Sequence, residues 1–420
     1  MKDISFKQNG RFFFGWYVVL LGFVLMLFAY VGFVSLTSVF AIPVTEDLGF
    51  ERGDWMTYLT LLSLTCVIAS PILGKIMAKG NMKLWLVISC ACGIIGYVGF
   101  SMANSLMTFY IFALILGIGF AGTAPMPVSI IINNWFGGKI KGTATGIAFI
   151  GSGLGGMILS PVLNAVIASS GWRMGYLVLA AVYLVILIPC CIVFGAKTPE
   201  SKGFVRMGEV EEEKVDTGAE KRGISLSEAK KTPELWLALL SCVLVVFASS
   251  ALLANSVGFF VECGIDSAKA ASLHGLMLGS LLLGKPVIGA FIDKTGIKAG
   301  AVVSTVIFAC TFITLFVMPS SPSVLVYVVI LCYCLGGPSI TVVPPLLING
   351  MFGEKDYGTL VGMANMATSI GGAFGGMIAA KIFDATGTYT SFWAVATIGV
   401  LVAAVVRLIC FVINKKRHNW

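Results

Sequence analysis

Residues 279–298 read GSLLLGKPVIGAFIDKTGIK, an apolar run that holds one cation, Lys285, and ends in a charged turn at Asp293. At a rise of 1.5 Å per residue, Lys285 would lie about 12 Å up a helix from Asp293. This is near the middle of a hydrocarbon layer about 30 Å thick, where a charge costs roughly 2.5–3.5 kcal/mol on insertion scales. Our hypothesis is that an anionic substrate compensates this cost.

The composition predicts a membrane protein. Hydrophobic residues make up 58% of the 420 positions and charged residues only 11%, whereas a soluble chain carries about 25% charged residues. The apolar runs are too long and continuous for barrel strands of about 10 alternating residues. The fold class is therefore an all-α polytopic membrane protein, with twelve transmembrane helices expected at 14–42, 54–77, 84–104, 106–136, 142–168, 174–195, 234–262, 267–291, 299–318, 323–350, 358–383 and 391–413.

The basic residues predict the orientation. If both termini and the long central connection share one side, that side holds 22 of the 28 Lys and Arg residues, and the other side holds only Arg52, Arg173 and Lys269. This bias places both termini in the cytoplasm and the protein in the cytoplasmic (inner) membrane. Arg407 lies close enough to the inner end of its helix to snorkel. The net charge of +8 is thus a topology signal and does not predict a nucleic-acid partner.

A polar segment divides the chain into a six-helix bundle at 1–195, a cytoplasmic connecting loop at 196–233 and a second six-helix bundle at 234–420. Within the loop, residues 224–231 are expected to form a short surface helix. The eleven cysteines lie almost entirely inside apolar runs, so neither a disulfide framework nor a metal site is expected.

The two halves repeat. One set of residues matches at an offset of 215, and a second set matches at an offset of 216: Pro71, Gly74, Lys79 and Lys83 fall on Pro286, Gly289, Lys294 and Lys298, and Phe136, Gly137, Gly142, Thr143 and Gly146 fall on Phe352, Gly353, Gly358, Thr359 and Gly362. Similar offsets at two places predict duplicated, pseudo-symmetric six-helix units, as in many secondary transporters.

Glycine and proline recur at matching places in the two halves. Spans 5 and 11 carry glycines four residues apart, which lets helix backbones approach closely: Gly142, Gly146, Gly151 and Gly155, and Gly358, Gly362, Gly371 and Gly375. Spans 4 and 10 are interrupted by prolines, which bend helices: Pro125 and Pro127, and Pro338, Pro344 and Pro345. The paired placement favours mobile gating helices.

Residues 289–298 resemble the loop signature of the major facilitator superfamily, G-x-x-x-D-[RK]-x-G-x-[RK]. The resemblance implies the major facilitator fold and a loop that latches one conformation, with gating or coupling roles for Gly289, Asp293, Lys294 and Gly296. The first-half copy at 74–83 departs from the signature at Ala78 and Asn81, so its latch is expected to be weaker.

Within the superfamily, the chain resembles the monocarboxylate and oxalate–formate porter branch at FGWYVV (14–19), GFER (49–52), NWF (134–136), GWR (171–173) and DATGTY (384–389). That branch carries Gly-Arg-Pro in span 8, whose arginine binds the substrate carboxylate. The chain has Gly-Lys-Pro there, which implies that Lys285 anchors the carboxylate by a charge-assisted hydrogen bond.

Two departures from the branch concern charge. Leu281 stands where proton-coupled members have Asp, which makes simple proton symport doubtful and leaves exchange, uniport or another proton site open. Thr368 stands where the oxalate exchanger has a second cation, and one buried cation suits a monoanion better than a dianion.

Other residues are candidates with a structural alternative. His274 would lie on the Lys285 face of its helix, three turns away, as an outer gate or proton port, and packing is its alternative. Tyr30 resembles an aromatic that contacts carboxylate in the branch, although it could equally be a packing residue. Asn255, Asn365 and Thr368 could complete the substrate cavity or satisfy neighbouring helices instead.

The sequence thus predicts a monomeric secondary active transporter that moves a small organic monocarboxylate by alternating access through a cavity between the halves. Protons or a counter-substrate are the coupling partners left open, and no cofactor is expected. The alternatives are an exporter of amphipathic or drug-like anions and a non-transporting carboxylate sensor. An enzyme is not expected, because the spans contain no nucleophile–base or metal constellation.

Overall fold

The computed structural model describes residues 7–8, 11–34, 36–208 and 223–418. The chain separates into two compact units, Met1–Gly218 and Ala219–Trp420, called here the first and second half. The exact borders expected at residues 195 and 233 stay predictions, because 209–222 lie outside the described residues.

Among the described residues of the first half, the elements are helical apart from one hairpin that the sequence did not predict, in which β1 (Lys7–Gln8) pairs antiparallel with β2 (Arg11–Phe12). Two segments have π-helical geometry, Met26–Tyr30 after α1 and Tyr183–Leu187 after α9. The helices are α1 (Gly15–Leu25), α2 (Val31–Val34), α3 (Thr37–Leu48), α4 (Arg52–Lys79), α5 (Met82–Ser101), α6 (Leu106–Thr123), α7 (Met126–Trp135), α8 (Lys141–Phe149), α9 (Gly151–Val182) and α10 (Ile188–Phe194).

The second half begins with a short helix that confirms the one expected within residues 224–231. Ser225 and Glu228 cap it reciprocally, each side chain bonding the other's backbone N–H. The helices are α11 (Leu226–Ala229), α12 (Pro233–Glu262), α13 (Ser267–Thr295), α14 (Ile297–Val317), α15 (Pro322–Gly336), α16 (Pro338–Thr341), α17 (Val343–Phe352), α18 (Tyr357–Thr386) and α19 (Thr390–His418).

The helices include most of the membrane-crossing segments that the sequence predicts. Ten segments of the described chain are long and apolar enough to cross a membrane. One of them, Lys141–Phe194, is two helices that meet at Gly171, whose φ of 81° lies in the left-handed region that favours glycine. The 30-residue α18 covers the predicted span 358–383 but is not among the ten. The predicted polytopic fold is therefore confirmed.

The interruptions expected in spans 4 and 10 are present. In span 4, α6 ends at Thr123 and α7 begins at Met126, with Ala124 extended between them. In span 10, the helix is divided at Gly337 and Val342, which keep right-handed helical φ and ψ, and Pro338 opens the four-residue α16. We call these two divisions the breaks in span 10. Proline suits a first helical turn, where its missing N–H would have no partner.

The same close helix contact occurs in both halves. A Cβ added at Gly155 would overlap the carbonyl oxygen of Leu27, and one added at Gly371 would overlap that of Val243. The two glycines are related by the repeat offset of 216, and so are the two carbonyls. The glycine ladders therefore pack backbone against backbone as predicted, in the way expected of small residues between membrane helices.

The connecting segment is attached to each half separately. Met207 forms a bridge with Phe136 of the first half, and Gly223 forms one with Gly353 of the second. The amide of Gly137 donates to the carbonyl of Met207 at 2.7 Å. Phe136 and Phe352 are equivalent in the repeat, so the connection holds the same loop in each half.

Candidate functional site

Lys285 lies on α13 with only 1% of its surface exposed. The residue before it explains how closely this turn packs. A Cβ on Gly284 would overlap the carbonyl oxygen of Cys334 on α15, so only glycine allows this approach. The Cys334 thiol also donates to the Ser280 carbonyl at 3.1 Å. The sequence correctly predicted that the cation is buried inside a span.

His274 lies on the same continuous helix as Lys285. Its Nδ1 lies 2.6 Å from the hydroxyl of Ser256 on α12, a distance at which the two share a hydrogen bond. The contact joins α13 to α12 and agrees with the packing alternative. The outer-gate role stays a prediction.

The polar candidates on α12 and α18 bond mainly to backbone. The Asn255 amide donates to the Ala251 carbonyl at 2.9 Å and to the Gly376 carbonyl of α18 at 3.4 Å. The Thr368 hydroxyl donates to the Asn365 carbonyl at 2.8 Å. These contacts correspond to the structural alternative for Asn255 and Thr368, and a substrate role for the group stays a prediction.

Tyr30 belongs to the first half and is described there. It ends the π-helical segment Met26–Tyr30, and its ring centroid lies 6.1 Å from that of Phe120. Single π-helical turns are frequent at functional sites. Its predicted contact with a carboxylate stays a prediction.

Asp47 makes a contact that the sequence did not reveal. One of its carboxylate oxygens accepts from the Trp172 indole at 2.9 Å and from Arg173 at 3.0 Å. The same guanidinium donates to the Asn104 carboxamide oxygen at 2.8 Å. These hydrogen bonds, first that from Trp172 and then that from Arg173, lower the pKa of Asp47 below 3.8. We call this group the first clasp.

The second half has an equivalent group, the second clasp. Glu262, at the end of α12, accepts from the Thr388 hydroxyl and, at 3.4 Å, from the Tyr389 amide. Glu262 follows Asp47 at the offset of 215, and Gly387 follows Gly171 at the offset of 216. Both glycines have positive φ, at 81° and 74°. The two repeat offsets relate the clasps to each other, but the offsets alone do not reveal the contact that either carboxylate makes.

Arg407 corrects the sequence prediction of a snorkelling side chain. It is 0% exposed, and its Nε donates to the Ser241 hydroxyl at 3.2 Å while its Nη1 donates to the Thr305 hydroxyl. The side chain turns into the second half because these hydroxyls accept from the guanidinium there. The distance of Arg407 from the end of its helix therefore did not predict where its side chain lies.

The family model of the Major Facilitator Superfamily matches residues 22–349 and 262–419 of this sequence. The chain belongs to the major facilitator superfamily. The superfamily membership predicted from the loop at 289–298 is thus confirmed. The proteins of this superfamily are transporters, as the sequence also predicted.

Two curated relatives of this superfamily protein belong to the branch that the sequence resembles. This chain is 22% identical over 351 residues to the oxalate:formate antiporter of Oxalobacter formigenes, and the alignment covers 81% of this chain and 80% of the relative. This chain is 24% identical over 418 residues to monocarboxylate transporter 2 of Rattus norvegicus, and the alignment covers 95% of this chain and 83% of the relative.

A solved structure of the proton:xylose symporter XylE, bound to 6-bromo-6-deoxy-D-glucose, shares the fold. It matches with a TM-score of 0.68 over 96% of each chain, at 15% identity. At this identity the likeness shows the fold alone.

The signature loop of the superfamily differs between the halves. In the second half, Gly296 precedes α14 with φ of 88°, a conformation that favours glycine. In the first half, Asn81 stands in its place and accepts from the Leu84 amide at 3.3 Å as an N-cap. Lys197 of the connection donates to the neighbouring Gly80 carbonyl at 3.2 Å. The first-half loop is therefore held by the Asn81 cap and by Lys197 instead of a glycine turn. The latch role of Asp293 and Lys294 stays a prediction.

Proposed function

We propose that this protein moves a small organic monocarboxylate across the cytoplasmic membrane by alternating access, with Lys285 as the carboxylate anchor. The observation that carries the proposal is a lysine with 1% exposure inside a membrane-crossing helix. Ionisable groups at such a depth are costly and in general serve substrates, ions or protons.

The chemistry of the side chain suits this role. An ammonium binds a carboxylate by charge-assisted hydrogen bonds, as a compact charge with three donors and not as the planar fork of arginine. A single moderate ion pair also allows release, which a carrier needs on both sides. The named activities of the oxalate:formate antiporter and of monocarboxylate transporter 2 support small organic acids as the substrate class.

Exchange is the mode we propose. Leu281, one turn before Lys285, is an apolar residue with 8% exposure, so this turn offers no carboxylate to carry a proton with the substrate. A counter-substrate would then reload the lysine on the return step. We place both termini in the cytoplasm on the distribution of basic residues, and we propose a monomer in the bilayer.

The test is counterflow into proteoliposomes of the purified protein. Internal pyruvate or lactate should accelerate the uptake of labelled external pyruvate, and vesicles with the Lys285→Ala variant serve as the matched control. Varying pH and sodium during the same measurement reports any coupling ion.

Three results would replace the proposal. Equal competition by large aromatic acids would favour the exporter of amphipathic anions, and ligand binding without flux would favour the sensor. Uptake that internal carboxylate does not accelerate would exclude exchange.

A further inference from the structure

Arg407 is a buried cation that the proposed transport site does not use. Its guanidinium joins three helices, donating from α19 to Ser241 on α12 and to Thr305 on α14. Its Nη2 is buried and has no hydrogen-bond partner among the described residues. Burying a charge is costly unless hydrogen bonds compensate it, so these hydroxyls decide where the side chain can lie.

The same hydroxyls reach the break in span 10. The Thr305 hydroxyl donates to the Ala301 carbonyl at 2.6 Å and lies 3.4 Å from the hydroxyl of Ser339. Ser339 donates to the neighbouring Ser304 Oγ of α14 at 3.0 Å. Ser339 belongs to α16, the four-residue helix between the breaks at Gly337 and Val342. Arg407, Ser304, Thr305 and Ser339 are all 0% exposed, so bulk water does not substitute for these bonds.

The break also touches the helix that carries Lys285. A Cβ on Gly337 would press against Leu281, one turn before Lys285, and the turn of Gly284 packs on the Cys334 carbonyl. One side of the break therefore contacts the Lys285 turn of α13. The other side is held through hydroxyls by Arg407.

The repeat shows that the fold does not need an arginine here. Subtracting 216 from 407 gives Cys191, and subtracting 215 from 305 gives Cys90. Both cysteines are buried, so the first half has two thiols where the second half has the guanidinium and its hydroxyl acceptor. The guanidinium is particular to the half that contains Lys285.

We propose that Arg407 is a positioning residue. Its guanidinium holds Thr305 on α14, whose neighbour Ser304 accepts from Ser339 of α16. Arg407 thereby fixes the break in span 10 against the Lys285 turn of α13. The first part stands on the contacts alone. Its effect on transport rests on the proposed function.

Hydrogen–deuterium exchange of the purified protein in nanodiscs tests the first part without any substrate. In Arg407→Gln, amides of residues 336–343 should exchange about tenfold faster or more, since loss of hydrogen bonds to a charged group favours local opening. Arg407→Lys should give an intermediate rate, and Cys191→Ala, the matched change in the first half, should leave these amides unchanged. An unchanged rate, or equally faster exchange in all helices of the second half, would overturn the proposal.

Transport kinetics test the second part. Arg407→Gln should lower the maximal rate of carboxylate exchange about tenfold while the half-saturating concentration stays within about twofold, because Lys285 still binds the substrate whereas span 10, a predicted gating helix, has lost the bonds that fix its break. A raised half-saturating concentration at an unchanged maximal rate would show that Arg407 binds substrate, which contradicts a positioning role.

Two further variants keep the arginine in place. Thr305→Val and Ser339→Ala should accelerate exchange at residues 336–343 in the same direction, and they carry the test if Arg407→Gln does not fold. If the wild-type protein moves no carboxylate, the proposed function fails, while the deuterium result still decides the role of Arg407 at the break.

Discussion

Ser70 in the first half and Lys285 in the second hold equivalent places at the repeat offset of 215, each just before the proline of its helix. Both side chains are buried, but only one carries a charge. Cys191 and Arg407 show the same contrast at an offset of 216. Among the described side chains, the buried lysine and arginine both belong to the second half.

The scaffold features show no such contrast. The contact of Gly155 with the Leu27 carbonyl has its counterpart at Gly371 and Val243, and each half has a carboxylate clasp, at Asp47 and at Glu262. The comparison teaches that helix packing follows the duplication, whereas the buried lysine and arginine of the described residues lie in one half only. Each prediction below changes one matched pair.

The largest effect is expected at the anchor. Lys285→Ala should lower carboxylate exchange about 100-fold or more, because the substrate charge then has no buried partner, and Lys285→Arg should keep part of the activity. Ser70→Ala is the matched control in the first half and should exchange normally. Normal flux in vesicles with the Lys285→Ala variant would contradict the anchor role.

The glycine contacts should be equally sensitive in both halves. Gly155→Ala and Gly371→Ala should each destabilise the protein by about 1–3 kcal/mol, since an added methyl group must displace backbone. The melting temperature in detergent measures this. Gly399→Ala, where a Cβ meets nothing within 4 Å, should not lower it. A much larger loss in one half than in the other would show that the packing is not equivalent.

The signature loops should respond unequally. Asp293→Asn should reduce the maximal exchange rate about two- to fivefold, with little change in the half-saturating concentration, which fits loss of a contact between a charge and a helix end. Ala78→Asp, which restores the acid in the first half, should change the rate less. A change in affinity instead of turnover would argue against the latch.

The smallest effect is expected at the clasps. Asp47→Asn should lower the melting temperature slightly at neutral pH, and high salt should remove the difference, because the ion pair with Arg173 is half exposed. Glu262→Gln should cause a loss that does not depend on salt. If the two variants depended equally on salt, the first clasp would not differ from the second in having an ion pair.

The pH dependence of the first clasp has a defined sign. The pKa of Asp47 is lowered in the folded protein, so its contribution is present above the unfolded value of 3.8 and is lost as the pH falls through the folded pKa. The difference between the wild-type protein and Asp47→Asn should therefore shrink in acid. Thermal unfolding from neutral to strongly acidic pH measures it.

Much of the fold could be predicted from the sequence because membrane crossing imposes length, hydropathy and satisfied backbone on each segment. The duplication, the breaks at Pro125 and Pro338 and the burial of Lys285 are all readable as patterns along the chain. Arg407 was misplaced because α19 is apolar nearly all round, so its sequence does not reveal which face turns inward. The acceptors of Arg407 belong to α12 and α14, which only folding brings together.

Sequence reasoning did not find the clasps and did not decide the roles of the polar candidates. Asp47 bonds to residues in a helix far along the sequence, and no local pattern marks such a pair. For Asn255 and Thr368, the sequence left a substrate role and a structural role open, because an amide or hydroxyl in a helix can serve either. In the structure, both residues bond to backbone carbonyls, which corresponds to the structural alternative.

The attachment of the connecting segment has a consequence for how the protein is made. Met207 pairs with the loop at Phe136, so both members of this pair have been synthesised once the ribosome passes residue 207. The partners of the second loop, Gly223 and Gly353, both come later in the chain. Because domains generally fold as units during synthesis, with the N-terminal one first, the first half can close this loop before the second half has been translated.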